Sequence, residues 1–280
     1  MKVVIVIPAR FQSKRFPGKP LHPIAGVSML ARTAEVARRA GAASDARVLV
    51  ATDDDRIAAH AAEIGVEAVM TDPDLPSGTD RCRAAAEQAA PDAGFVVNLQ
   101  GDAPFTPPAH VAALIENARR ADVVTPVVQL SWDALDAIRE RKKTTPFSGT
   151  TCIRAEDGRA IWFSKQVVPA IRDEAKLRAA GPLSPVLQHI GLYGYARPAL
   201  DRIAQLPPSR YERLEGLEQL RFIENGLSVF AVEVAAPDLA ISGIDTPEDA
   251  RLAEKLIAAH GDPHGDPHGD PQGDPQGGAG

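Results

Sequence analysis

Residues 3–20 read VVIVIPARFQSKRFPGKP. The first five are apolar and β-branched without a polar break, the pattern of a strand buried on both faces of a mainly parallel sheet. The segment that follows, residues 8–19, places Arg10, Lys14, Arg15 and Lys19 directly behind that strand. In an open α/β sheet, ligands sit beyond the carboxyl ends of the strands, so four cations at such a place point to a polyphosphate pocket. A solvated basic loop is the plainer alternative, because runs of charge commonly just face water. The loop has neither G-x-x-x-x-G-K-[ST] nor G-x-G-x-x-G, which removes the main warrant for a P-loop NTPase or a dinucleotide oxidoreductase.

Working outward, helical and strand-like stretches alternate. Residues 29–40 carry apolar side chains at helical spacing, end in Arg38-Arg39 and are followed by Gly41. Strand-like residues 47–51, a helix over 54–64 and a strand over 66–70 come next. Ser77-Gly78-Thr79-Asp80 opens an alanine-rich helix to about 89, and residues 95–99 form a buried strand that stops at Gln100-Gly101-Asp102. Pro107-Pro108 starts a helix to about 120, residues 123–130 read as strand, and 132–141 as a short amphipathic helix. This order predicts an α/β fold, a doubly wound, mixed, mainly parallel sheet.

From 142 to 197 the rhythm changes to short strand-like pieces (150–154, 160–163, 190–195), which reads as an inserted β-rich subdomain. Residues 210–225 form a strong helical segment closed by Gly226, 227–232 return as strand, and Thr246-Pro247-Glu248-Asp249 begins the last helix. The expected organisation is a nucleotide-binding core (1–141), the insertion (142–197), a return to the core (198–260) and a tail (261–280). The tail repeats Gly-Asp-Pro-His and then Gly-Asp-Pro-Gln, a composition that cannot build a core and predicts disorder. His260, His264 and His268 invite adventitious metal binding, but their spacing between prolines argues against a dedicated site.

The whole chain of 280 residues carries 31 Lys+Arg against 37 Asp+Glu, a formal charge of −6. That balance disfavours a broad electrostatic grip on nucleic acid or an anionic membrane, so any anion site must be local. Cys82 and Cys152 lie in no metal-binding or redox spacing and read as reduced, small hydrophobes. The N-terminus enters the first strand without a signal-like segment and no stretch is long enough for a membrane span, so a cytoplasmic protein is expected.

Two carboxylates stand out. Asp102 sits where a hydrophobic strand ends, and Asp245 precedes the start of the last helix. For Asp245 an ordinary helix cap is an alternative that needs no metal. Facing a cationic phosphate loop, the pair has the chemistry to hold magnesium against a nucleotide's phosphates.

The stretches IPARFQSKRFPGKPL (7–21), ATDD (51–54), SGTDR (77–81), NLQGDAP (98–104), HIGLYGY (189–195), LEQLRF (217–222) and GIDTPED (243–249) together resemble the CMP-Kdo synthetases, the 3-deoxy-manno-octulosonate cytidylyltransferases. The resemblance covers about residues 3–258. It implies that the anomeric hydroxyl of a sugar acid attacks the α-phosphorus of CTP, activating a lipopolysaccharide precursor and releasing pyrophosphate. It further implies that Arg10, Arg15 and Lys19 are the catalytic cations on the triphosphate, within a nucleotide site that includes Pro8, Ala9 and Ser13. Ser77, Gly78, Thr79 and Arg81 resemble the segment that reads cytosine. Gln100, Lys165, His189, Tyr193, Glu218 and Gln219 match positions around the sugar acid, and Asp102 and Asp245 match the magnesium ligands.

Taken singly, His189 and Tyr193 also read as a structural pair on one strand, and Glu218 and Gln219 as charges on an exposed helix face. The family implies a homodimer through the inserted segment. This sequence departs from its pattern at Ala103, where an acid is usual, at Lys165, where arginine is usual, and over 147–152. A cytidylyltransferase for an 8-amino-Kdo or sialic-like acid, or a catalytically silent nucleotide-binding relative, are the alternatives.

Overall fold

The β-branched run near the N-terminus lies inside the central sheet. The computed structural model describes residues 1–13, 15–237 and 243–263; Lys14, His264 and His268 lie outside the described residues, as does the expected tail from 264 onward. Strand β1 (Val3–Ala9) is followed by a small hairpin, β2 (Pro23–Ile24) and β3 (Val27–Ser28), and helix α1 (Met29–Gly41). Then come β4 (Arg47–Thr52), α2 (Asp55–Glu63), β5 (Glu67–Met70), α3 (Gly78–Ala89), β6 (Phe95–Asn98), α4 (Pro108–Glu116), β7 (Val123–Ser131) and α5 (Trp132–Thr144). The remainder comprises β8 (Thr151–Arg154), β9 (Ala160–Ser164), α6 (Glu174–Ala180), β10 (Leu183–His189), β11 (Tyr193–Ala196), α7 (Arg197–Ile203), α8 (Arg210–Glu215), α9 (Glu218–Glu224), β12 (Val229–Glu233) and α10 (Pro247–His260).

The main sheet runs β5-β4-β1-β6-β11-β7-β10-β8-β9, with β12 parallel to β7. Strands β5, β4, β1 and β6 pair in parallel, while β11 is antiparallel to both β6 and β7. The apolar continuity of β1 follows from this placement, since both faces are covered. Val4 and Val6 pack with Cys82, Ala85 and Ala86 of α3. Val3, Ile5 and Ile7 point the other way, into a cluster with Leu30 and Ala34 of α1 and Val111 and Leu114 of α4. Both cysteines are buried as small hydrophobes; burial raises the Cys82 thiol well above its ordinary range and pushes Cys152 up to about 12.

Within 142–197, β8, β9 and β10 extend the main sheet, and β11 enters its middle. Gly194 makes this possible, because a Cβ there would lie 2.3 Å from the Phe95 ring. Residues 190–195 are not one strand, since the chain leaves the ladder between His189 and Tyr193. The helical stretch 210–225 breaks into α8 and α9 at Gly216, which adopts φ of 64°. The start of the expected disordered tail is also tied down: Gly261 N–H donates to Ile257 O, and Asp262 accepts from Arg32.

Candidate active site

The end of β6 sets the first carboxylate. At Gly101 the chain passes so close to the end of β1 that a Cβ would lie 2.5 Å from the Pro8 carbonyl oxygen. This contact delivers Asp102 beside the 10–19 loop. The segment before α10 docks on the same spot, with Ile244 N–H donating to Asp102 O at 2.8 Å. Thr246, not Asp245, is the helix cap: its side chain accepts from Asp249 N–H, and Asp249 closes a capping box in return. Asp245 therefore does not cap α10, and its carboxylate turns to Lys19 and Arg15.

Lys19 joins the pieces. Its Nζ donates to Asp102 Oδ2 at 2.8 Å and to Asp245 Oδ1 at 3.3 Å, and its side chain is only 13% exposed. Arg15 Nη2 reaches Asp245 Oδ1 at 3.0 Å. Two carboxylates that share one ammonium turn oxygens toward a common point, and carboxylate oxygens are the donors magnesium prefers. No group of three His, Cys, Asp or Glu converges to hold a metal among the described residues, so further ligands would come from phosphate and water.

The rest of the loop is held by its own backbone. Ser13 and Gly18 N–H both donate to Phe11 O, Gly18 adopts φ of 71°, and Arg56 stacks 3.3 Å from the Phe11 ring centroid. Arg10 donates to Leu75 O, which ties β1's exit to the segment before α3. Pro8 and Ala9 close β1, and Pro8, Gly78 and Gln100 meet: a Cβ on Gly78 would lie 3.6 Å from both Pro8 Cγ and Gln100 Oε1. Ser77 caps α3, accepting from Asp80 N–H and donating to Asp80 Oδ2 at 2.6 Å.

Arg81 is placed differently from a base-reading side chain. It is fully buried, with Nη2 on Asp53 Oδ2 at 3.1 Å and further bonds to the Thr71 hydroxyl and Asp72 O. Burial lowers its pKa, with Asp53 opposing. It fastens the ends of β4 and β5 beneath α3. The sequence signal for its partner was Asp53 in ATDD, whose role depends on a contact across 28 residues.

On the other side of Gln100 lies a buried polar cluster. Gln100 Nε2 donates to Asn98 Oδ1 at 3.0 Å, and Tyr193 OH donates to Gln219 Oε1 at 3.0 Å. The amide nitrogens Asn98 Nδ2 and Gln219 Nε2 are buried without a hydrogen-bond partner within the described protein. Glu218 is not on an exposed face; it accepts from the Thr79 hydroxyl at 2.9 Å, and burial raises its pKa against that bond. Thr79 and Glu218 therefore link the two sets of residues that the sequence assigned to base and sugar.

His189 ends β10 and Tyr193 begins β11, so they meet across the break, their rings 5.5 Å apart. The Thr125 hydroxyl donates to Leu192 O, which leaves its oxygen to accept from His189 Nε2–H at 2.8 Å and assigns the neutral tautomer with Nδ1 as acceptor. Burial first, and then the charge of Lys165, pull the His189 pKa down to about 3. Lys165 is itself lowered by burial, with Glu215 opposing. Glu215, which the sequence did not single out, accepts from Ser164 OH at 2.9 Å and from Lys165 N–H at 2.6 Å.

A family model described as Cytidylyltransferase matches residues 4–231. The 3-deoxy-manno-octulosonate cytidylyltransferase of Maricaulis maris is 41% identical over 267 residues, covering 94% of this chain and 99% of that protein. The chain belongs to the cytidylyltransferase family. The enzyme of the same name from Acidobacterium capsulatum is 40% identical over 257 residues, covering 92% and 97% of the two chains. Among solved structures, CMP:2-keto-3-deoxy-manno-octonic acid synthetase complexed with CTP superposes with a TM-score of 0.78 at 35% identity, over 92% of this chain and 99% of that one. A cytidylyltransferase from Leptospira borgpetersenii, at 18% identity and a TM-score of 0.57, shares the fold. As a cytidylyltransferase the chain is a nucleotidyltransferase on a mixed, mainly parallel α/β sheet. None of its described helices is long and apolar enough to cross a membrane.

Proposed function

We propose that this cytidylyltransferase moves CMP from CTP to the anomeric hydroxyl of Kdo, releasing pyrophosphate and supplying an activated sugar for lipopolysaccharide assembly. The observation that carries the proposal is the convergence of Asp102, Asp245 and Lys19 at the carboxyl end of the β1–β6 pair, beside Arg15. In the reaction the anomeric oxygen bonds to the α-phosphorus, the bond from that phosphorus to the bridging oxygen breaks, and the hydroxyl proton passes to solvent. Asp102 and Asp245 would hold magnesium, which supplies Lewis-acid stabilisation of phosphate charge and of the attacking oxygen. Lys19, Arg15 and Arg10 neutralise the triphosphate, and Ser13 adds a hydrogen bond.

Gln100, His189, Tyr193, Glu218 and Gln219 orient the acid within the buried polar cluster, and the α3 N-terminus with Ser77, Gly78 and Thr79 receives the base. Lys165 replaces a planar guanidinium by a compact ammonium, so it tunes which acid is preferred. The chain works as a cytoplasmic homodimer joined through 142–197, where the sheet ends in β9 with Ile161 exposed.

Pyrophosphate release is measured with CTP, UTP and ATP against Kdo, 8-amino-Kdo and a sialic acid, with and without magnesium. Fastest turnover with CTP, Kdo and magnesium supports the proposal. Preference for another acid replaces the sugar, and no turnover with any acid makes the chain a silent relative.

A further inference from the structure

Arg32 is a buried cation that the site does not use. From α1, its Nε and Nη2 donate to Ile24 O at 3.1 and 2.8 Å, and its Nη1 donates to Asp262 Oδ2 at 2.6 Å. The guanidinium also stands 5.6 Å from the centroid of the Phe105 ring. Asp262 follows the C-terminus of α10, and the opposite end of that helix carries Asp245.

Between the two ends lies a small apolar cluster of its own, separate from the two large ones that cover the sheet. It takes Phe16 from the loop of Arg15 and Lys19, Phe105 from just beyond Asp102, Ile244 from beside Asp245, and Ala250 and Ala253 from α10. Every segment that brings a charge to the site thus anchors a neighbouring side chain in this cluster. α10 contributes Ala250 and Ala253, fully buried, on its first turns, and Leu256 and Ile257, partly buried, on its last. Polar contacts hold the helix along its length: Ile244 N–H to Asp102 O at 2.8 Å ahead of it, Ala25 N–H to Glu254 Oε1 at 3.2 Å, and the Arg32–Asp262 pair beyond its end. Fourteen residues of helix make a rod about 21 Å long, so a shift at one end is delivered to the other.

We propose that Arg32 and Asp262 form a C-terminal latch that sets the position of Asp245 against Asp102, and that both are positioning residues for divalent-cation binding. The inference rests on the reading of the two carboxylates as cation ligands. Magnesium demands near-ideal octahedral geometry at short oxygen distances, so a two-carboxylate site is sensitive to displacements of a fraction of an ångström.

The test uses the full chain with Asp262→Asn, Arg32→Met and the conservative Asp262→Glu. Two quantities are measured: the free magnesium concentration for half-maximal pyrophosphate release, and hydrogen exchange of the Ile244 amide in the protein without metal or substrate. Asp262→Asn is expected to raise the magnesium midpoint about three- to tenfold and to speed exchange at Ile244 by a larger factor than at Ile5 and Val97. Asp262→Glu restores both, and Arg32→Met reproduces the asparagine variant. An unchanged midpoint with unchanged Ile244 exchange overturns the latch. Equal loss of protection at Ile5 and Val97 also overturns it, because the pair would then serve the whole fold. If Asp245→Asn leaves the magnesium dependence intact, the underlying assignment of the ligand fails instead, and the latch with it.

Discussion

At the scale of single residues, Asp102 and Asp245 offer the sharpest test. Either change to asparagine preserves shape and hydrogen bonding but removes the charge opposite Lys19, and turnover should fall by about two to three orders of magnitude. Near-normal magnesium-dependent pyrophosphate release in either variant refutes the assignment. His189 gives a test in pH. Its folded pKa of about 3 lies below the ordinary value of 6.5, so the unfolded chain takes up a proton first as pH falls. The stability associated with a neutral His189 is therefore complete above pH 6.5 and is lost progressively toward pH 3. Relative to His189→Gln, the wild type should lose about 2 to 3 kcal/mol between pH 7 and pH 4.5 in chemical denaturation; a pH-independent difference would show that the ring is not held neutral. Lys19, Asp102 and Asp245 were legible in the sequence because each lies next to a strand end or helix start that periodicity already locates. Asn98, Glu215 and the Arg81–Asp53 pair were not, since their meaning comes from partners far away in the chain.

At the scale of elements, Gly216 separates α8 from α9 in a left-handed conformation with no heavy atom within 4 Å of the place a Cβ would take, so only the backbone demands glycine there. Gly216→Ala should cost about 1 kcal/mol, and Gly216→Asn less, measured by denaturant unfolding. A neutral alanine variant would mean that the break is set by packing instead. The sequence signalled one helix over 210–225 because apolar spacing continues through the break, and one glycine inside a helical pattern does not by itself announce a turn. Strands buried on both faces, β1, β4 and β6, were legible from continuous apolar runs. Short α6 and α7 were not, as seven residues give periodicity too little length to register.

For the whole molecule, Asp262 ties the residues just after α10 to α1. Truncation after Pro263 should leave the melting temperature unchanged, whereas truncation after His260 removes the partner of buried Arg32 and should cost about 2 kcal/mol, a fall of about 3 to 4 °C. Equal melting temperatures for the two truncations would show that Asp262 is not a structural part of the body. Composition alone gives no sign that Asp262 pairs with the body, because an ion pair with a cation on α1 leaves no trace in local sequence. The order of strands has a further consequence for biosynthesis. The fully buried β6 has β1 on one side and β11 on the other, and β11 emerges from the ribosome almost a hundred residues after it. During synthesis the nascent chain must carry Phe95–Asn98 as an open, apolar strand edge until Tyr193–Ala196 arrives. Until then the first half of the chain exposes a pairing edge of the kind that invites association with other chains.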